Sequence, residues 1–261
     1  MSEEKAVGMA ADTPSDAPPD MAPNMVPDRA DLFEALDTIG NCLASGMRLT
    51  HVPEELLERL RSTTTPAAPS EPASALGALQ AKAKACVACV LSASRKTVVF
   101  GQGAPRPEVL VVGEGPGAEE DNQGLPFVGA SGKLLDKMLA SIGLSRNENC
   151  YIANVVKCRP PNNREPAPDE RAACMPFLRE QIRILKPRAI LCAGRTAAQA
   201  LLETTEGINK LRTRQHDFGG IPLIATYHPS ALLRDESLKR PAWEDLKRLR
   251  ELIAPGKPAN E

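Results

Sequence analysis

Four short apolar runs recur along the chain from residue 109 onward: VLVV at 109–112, the core of CYIANVVK at 150–157, RAILCAG at 188–194 and IPLIATY at 221–227. They are rich in aliphatic residues and closed by glycine or a loop, the pattern of strands buried on both faces of a parallel sheet. TVVF at 97–100, ending at Gly101, reads as a further strand-like piece. Between these runs the apolar residues switch to helical spacing, in LGALQAKAKACVACVLS from Leu76, KLLDKMLASI from Lys133, MPFLREQIRILK from Met175 and TAAQALLE from Thr196. Strands alternating with helices predict an α/β domain, a three-layer sandwich with a four-stranded parallel sheet flanked by helices.

Upstream the pattern is different. Residues 1–28 are rich in Pro, Ala, Asp and Met with no periodicity, a composition that cannot offset its ordering entropy, so they are expected to form a disordered tail. Over 29–62, Leu32, Leu36, Ile39 and Leu43 fall at helical spacing and EELLERLRS repeats the pattern, predicting a helical extension whose apolar stripe needs a partner, either its own domain or an unknown protein. TTTPAAPSEPAS marks a linker over 63–75, leaving 76–255 as the main domain.

The stretch 108–132, EVLVVGEGPGAEEDNQGLPFVGASG, joins the first buried run to the helix at Lys133. Gly113, Gly115 and Gly117 remove Cβ atoms where a ligand approaches backbone N–H groups, yet Glu114, Glu119, Glu120 and Asp121 crowd the same turn. Those acids argue against a plain phosphate cradle. A long loop holding glycines, acids and Phe127 at a strand's C-terminal end marks the usual crevice of an open α/β sheet.

A length of 261 residues allows one substantial core plus an appendage, and an aromatic content of 3% makes that core aliphatic. The net charge of −1 advertises no global basic field, so any contact with DNA comes from a local patch. No apolar run reaches the roughly 20 residues that span a bilayer, and MSEEKAVGMA lacks the form of a signal peptide. The expectation is a soluble, cytoplasmic protein without a membrane partner.

Seven cysteines in such a chain point to metal rather than disulfides. Cys86 and Cys89 form CVAC, a gap that lets two thiolates face one ion. Cys158 and Cys174 bracket a proline-rich loop and could be drawn together across it. Four thiolates suit tetrahedral zinc or an iron–sulfur cluster, and spacing does not choose between them. Cys42, Cys150 and Cys192 lie in apolar contexts and read as small buried hydrophobes.

Four motifs together, CVAC at Cys86, GEGPGAEEDNQGLPFVGASGKLLDKML from Gly113, YIANVVKCRPPNNREP from Tyr151 and HPS at His228, resemble the iron–sulfur, or family 4, uracil-DNA glycosylases over residues 76–250. The resemblance implies a four-stranded parallel sheet between helices. It implies a [4Fe-4S] cluster on Cys86, Cys89, Cys158 and Cys174, and removal of uracil from DNA. It says nothing of residues before 75.

The residue chemistry agrees. A base inside a duplex must be extruded into a pocket before it can be reached. Phe127 is placed to stack on it. Asn154, an amide in an apolar run, is costly without a partner; its acceptor and donor complement uracil N3–H and O4 and mismatch cytosine. His228 is placed to hydrogen-bond O2 as negative charge develops. Glu114 is the first choice to stabilise the cationic sugar or orient water, although other branches of the superfamily carry Asp where this chain has Gly115. Glu120 and Asp121 are candidates for that role or for the C5 side of the base. Ser230, Ala231 and Leu232 resemble an insertion loop that wedges the duplex and meets a phosphate. Lys157, Arg159, Arg164 and Arg234 supply local positive charge.

The enzyme is expected to act as a monomer on uracil-containing DNA. Two other readings compete: a non-catalytic or uracil-trapping iron–sulfur DNA-binding protein, and a zinc-stabilised nucleotide module using GEGPG as a phosphate loop. Trapping relatives carry a basic, His-containing insert after the second strand, where this chain has CRPPNNREP. The phosphate loop lacks a Lys-Ser/Thr pair directly after its glycines.

Overall fold

A computed structural model describes residues 71–254. The expected tail, the helical extension and residues 63–70 of the expected linker lie outside the described residues. The linker does not run to residue 75: helix α1 (Glu71–Lys84) starts inside it, because Pro72 sits comfortably in a first helical turn.

Strands β2 (Val109–Gly113), β3 (Cys150–Asn154), β4 (Ala189–Ala193) and β6 (Ile221–Thr226) are the four expected parallel strands, in the order β3-β2-β4-β6. β2, β3 and β4 are buried throughout. The sheet is larger than expected. β1 (Gln102–Gly103) pairs antiparallel with β3, and β5 (Gln215–Phe218) pairs antiparallel with β6, giving six strands in a mixed sheet. Neither edge carries an apolar run: β1 is two residues long, and β5 alternates exposed and half-buried positions. Val98, Val99 and Phe100 of TVVF are buried, but the segment is not a strand. Its backbone is satisfied instead by Val99 N donating to Lys157 O and by Gln181 Nε2 donating to Phe100 O.

Alternate residues of the strands supply two cores. Leu110, Val112, Ile190 and Cys192 face one way, packing with Leu178, Ile182 and Leu185 of α4 (Pro168–Leu185), Leu201 of α5 (Arg195–Leu202) and Leu76 of α1. Val109, Val111, Ile152 and Leu191 face the other way, against Leu135 and Leu139 of α3 (Ala130–Ala140) and Leu246 and Leu249 of α8 (Lys239–Ile253). Three layers follow from this period-two alternation. Short helices α2 (Ala118–Gln123), α6 (Ile208–Leu211) and α7 (Pro229–Arg234) complete the connections.

The compact unit holding every described residue begins at Ala67. A chain starting there keeps α1 whole and is expected to unfold in one transition at the melting temperature of the full chain. A drop of more than about 5 °C, roughly 2 kcal/mol for a domain of this size, would make earlier residues part of the core.

Candidate active site

The C-terminal ends of β2, β3 and β6 open onto a cleft of about 450 Å³, whose lining includes Glu114, Gly115, Phe127, Asn154 and His228. At its floor the sequence leaves no spare room. Gly113, the last residue of β2, is paired with Asn154 across the β2–β3 ladder. A Cβ at Gly113 would lie 2.4 Å from Asn154 Oδ1 and 2.5 Å from Cζ of Phe127. Only glycine lets the amide and the ring meet there.

Phe127 is held in an uncommon left-handed conformation, with φ of 52°. Such backbone persists only where its surroundings over-determine it. Arg146 supplies part of that hold, its Nη1 donating to Pro126 O at 3.0 Å and its Nη2 to Phe127 O at 2.9 Å. Glu120 supplies more: Oε1 accepts from Val128 N and Gly129 N at 2.9 and 3.0 Å, and Oε2 from Gly117 N at 3.1 Å. Both Glu120 oxygens are thus spent on the loop, so although the residue lines the cleft it does not fit the expected contact with the base. Asp121 is likewise committed, being buried and accepting from Lys96 N and Thr97 N.

Asn154 is 1% exposed, and among the described residues its Oδ1 is the single buried side-chain polar atom with no hydrogen-bond partner. An orphan acceptor of this kind costs about 1–3 kcal/mol. It faces the same space as the Phe127 ring.

His228 caps α7. Its Nδ1 accepts from Ser230 N at 3.1 Å and lies 2.8 Å from Ser230 Oγ. Because a backbone N–H can only donate, Nδ1 carries the lone pair and the neutral ring holds its proton on Nε2. Burial, helped by the Arg234 cation and opposed by Glu120, pulls the imidazole down to about 4, well below its ordinary 6.5. The ring lies 5.6 Å from that of Phe127, tilted by 30°. Glu114 follows Gly113 and receives a 2.6 Å hydrogen bond on Oε2 from the Thr196 hydroxyl. A Cβ at Gly115 would meet Val156 Cγ2 at 2.8 Å, so that turn too is tailored to glycine.

The family model described as the uracil DNA glycosylase superfamily matches residues 100–247. Over 176 residues the chain is 46% identical to a type-4 uracil-DNA glycosylase of Thermotoga maritima, covering 66% of this chain and 91% of that protein. The type-4 enzyme of Sulfurisphaera tokodaii is 43% identical over 176 residues, 64% of this chain and 80% of its own length. That of Archaeoglobus fulgidus is 42% identical over 182 residues, 66% and 90% of the two chains. The chain belongs to the uracil-DNA glycosylase superfamily. The resemblance drawn from the four motifs is borne out.

Not every residue expected to serve this superfamily's chemistry stands where it was expected. Leu232 is 2% exposed and packs in the core shared with α3 and α8, so it is not free to wedge a duplex; HPSALLR forms helix α7, whose phase turns Leu233, 50% exposed, outward instead. Ser230 lines the cleft but orients the imidazole. Lys157 is 2% exposed, not a surface cation: Nζ donates to Asn154 O at 2.8 Å and Gln181 Oε1 at 2.6 Å. Arg164 lines the cleft yet makes a paired contact with buried Glu170 at 2.8 and 2.5 Å, while Arg159 bonds Asn163 Oδ1. Thr196, Glu165 and Arg95 were missed. Thr196 had a signal, the strand-Gly-helix junction at 189–196 that parallels the one after β2.

Among the described residues no three His, Cys, Asp or Glu side chains stand grouped so as to hold a metal ion. Cys86, Cys89, Cys158 and Cys174 nonetheless line one small cavity of about 20 Å³, between the segment after α1, the end of the loop following β3, and α4. Two donors point at its sulfurs: Lys157 N to Cys174 Sγ at 3.3 Å, and Arg95 Nη1 to Cys158 Sγ at 3.4 Å. Four thiols with N–H groups aimed at sulfur are a donor set that fits thiolate-bound iron. Cys150 and Cys192 are buried in the two cores, and burial pushes the Cys150 thiol up to about 12. Cys42 lies outside the described residues.

The neutral imidazole has a measurable consequence. Since His228 resists protonation when folded but not when unfolded, its contribution to stability falls as pH drops from 6.5 towards 4. Chemical unfolding of the wild type should therefore lose stability over that window relative to His228→Gln. Equal pH dependence of the two would mean that the ring is not held neutral.

Proposed function

We propose that the protein is a monofunctional uracil-DNA glycosylase, extruding uracil from DNA and hydrolysing its N-glycosidic bond to leave an abasic site for base excision repair. One observation supports this above the rest: the unpartnered Asn154 Oδ1 beside the Phe127 ring, in a cleft that also receives a neutral histidine donor. Uracil stacked on Phe127 presents N3–H to that acceptor and O4 to the amide N–H groups. Cytosine offers an acceptor at N3 and a donor at N4, so it meets like with like and leaves buried groups unpaired.

Breaking the C1′–N1 bond leaves negative charge on the base and positive charge on the sugar. His228 Nε2–H donates to O2 as that charge grows, with Nδ1 locked by Ser230. A preorganised donor of this type is worth about 10²–10³ in rate. Glu114 is our choice to stabilise the sugar or orient the attacking water: it opens the turn after β2 in the cleft with Oε2 held by Thr196, whereas Glu120 and Asp121 accept backbone N–H groups. The same loop geometry speaks against a phosphate cradle: the N–H groups of Gly117, Val128 and Gly129 are already taken. The trapping reading lacks support, since residues 155–170 contain no histidine.

Gly115 admits the substrate close to the backbone, Leu233 replaces Leu232 as the apolar residue offered to the duplex, and Arg164 and Arg234, which line the cleft, serve with Arg159 as phosphate contacts. Cys86, Cys89, Cys158 and Cys174 would hold a [4Fe-4S] cluster, which would tie together the segment after α1, the loop after β3 and α4. The enzyme works as a monomer in the cytoplasm on chromosomal DNA; no helix among the described residues is long and apolar enough to cross a membrane. The N-terminal segment is left for a protein partner.

Two experiments test this reading. With the DNA fully bound, Asn154→Asp should lose most uracil excision and gain at most weak activity on cytosine, whereas His228→Ala should lower the rate about 10²–10³-fold without altering base preference. Normal uracil excision by Asn154→Asp would remove Asn154 as the base reader. Anaerobically purified protein should be brown and contain roughly four irons and four sulfides per chain, and Cys86→Ala should reduce solubility and melting temperature. Colourless, fully active protein containing only zinc would exclude the cluster.

A further inference from the structure

Glu114 is a flexible side chain at the mouth of a glycine turn, and a carboxylate there serves the reaction only if one oxygen is held towards the sugar. The group that holds it comes from another strand–helix unit, β4 and α5. Thr196, in the first turn of α5 just beyond β4, is 3% exposed, and its hydroxyl lies 2.6 Å from Glu114 Oε2. That distance is within the range of a charge-assisted O–H···O⁻ bond.

The hydroxyl has one proton and two carboxylates near it. Glu165 Oε1 is 3.3 Å from Thr196 Oγ1, on the proline-rich stretch between Cys158 and Cys174. Both oxygens of Glu165 are already met by guanidinium groups, Oε1 by Arg171 at 3.1 Å and Oε2 by Arg195 at 2.6 Å. The shorter contact and the unmet demand are both on the Glu114 side, so the proton goes to Glu114 Oε2. Among the described residues Glu114 Oε1 then has no protein hydrogen bond. It is the oxygen available to the cleft.

We infer that Thr196 is a positioning residue for uracil excision, its hydroxyl fixing the rotamer of Glu114 and selecting Oε1 as the acting oxygen. This rests on the reading of Glu114 as the acting carboxylate. Misplacing a reacting group by about 1 Å can cost about 10² in rate, and a lost hydrogen bond to a charged group a comparable factor, so the effect should be visible in the chemical step.

The test is single-turnover excision from a uracil-containing single-stranded oligonucleotide, titrated with excess full-length enzyme to separate the maximal rate from the half-saturating concentration. Thr196→Val should lower the maximal rate about ten- to hundredfold and leave half-saturation within about twofold, while Thr196→Ser should restore the rate to within about threefold of wild type. In a Glu114→Gln background the valine substitution should cost less than about threefold more, because the acting carboxylate that the hydroxyl positions is gone. Thr196→Ala stands in if the valine variant does not fold. A full rate in the folded Thr196 variant, failure of serine to rescue, or losses that multiply independently with Glu114→Gln would overturn the inference. If Glu114→Gln itself keeps the full rate, the reading of Glu114 falls and the inference with it; if only Glu114→Gln loses rate, the inference alone falls.

Discussion

At the C-terminal end of β2 three groups compete for the space in front of one Cα: the amide of Asn154, the ring of Phe127 and any side chain that residue 113 might carry. Glycine settles the competition, and the consequences run outward from there. Asn154 can stay buried on β3, in register with Gly113, and still be reached from the cleft. The Phe127 ring can lie against the strand end only because its loop doubles back tightly; at Gly132 a Cβ would overlap Phe127 O, at 1.8 Å. The bond network of Glu120 and Arg146 is what makes so cramped a path the preferred one.

The acids of this loop show how identical chemistry is partitioned by partners. Glu120 and Asp121 accept backbone N–H groups and so become parts of the scaffold. Glu114 receives one side-chain hydroxyl and keeps an oxygen in reserve. On the other side of β3, Lys157 joins two regions that look separate: its backbone N–H meets Cys174 Sγ while its ammonium holds the carbonyl of Asn154. The cysteine cavity and the end of β3 that carries Asn154 therefore share one buried residue, and disorder at the first would reach the second.

Much of this was legible in the residues, for identifiable reasons. The four parallel strands announce themselves because burial on both faces demands unbroken apolar runs, whereas β1 and β5 each face solvent on an edge and leave no such trace. Asn154 stood out as a polar residue within such a run, and His228 as a residue just past another. What escaped notice depended on partners remote in sequence. No pattern around Glu120 says that it would bond Gly117, Val128 and Gly129, and none around Lys157 foretells Gln181 as a buried acceptor. Leu232 and Leu233 are chemically alike and adjacent; only the phase of α7 decides which is buried.

The oxygen of Asn154 is a polar demand that no other group of the described protein meets. A side chain of similar size without polar atoms would remove an unsatisfied buried acceptor from the heart of the sheet, so the most stable sequence for this fold is not the one observed. Stability and recognition pull this single position in opposite directions. Variants selected only for resistance to heat should drift towards apolar residues at 154, and on the role proposed for Asn154 they would become sturdier proteins that can no longer tell one pyrimidine from another.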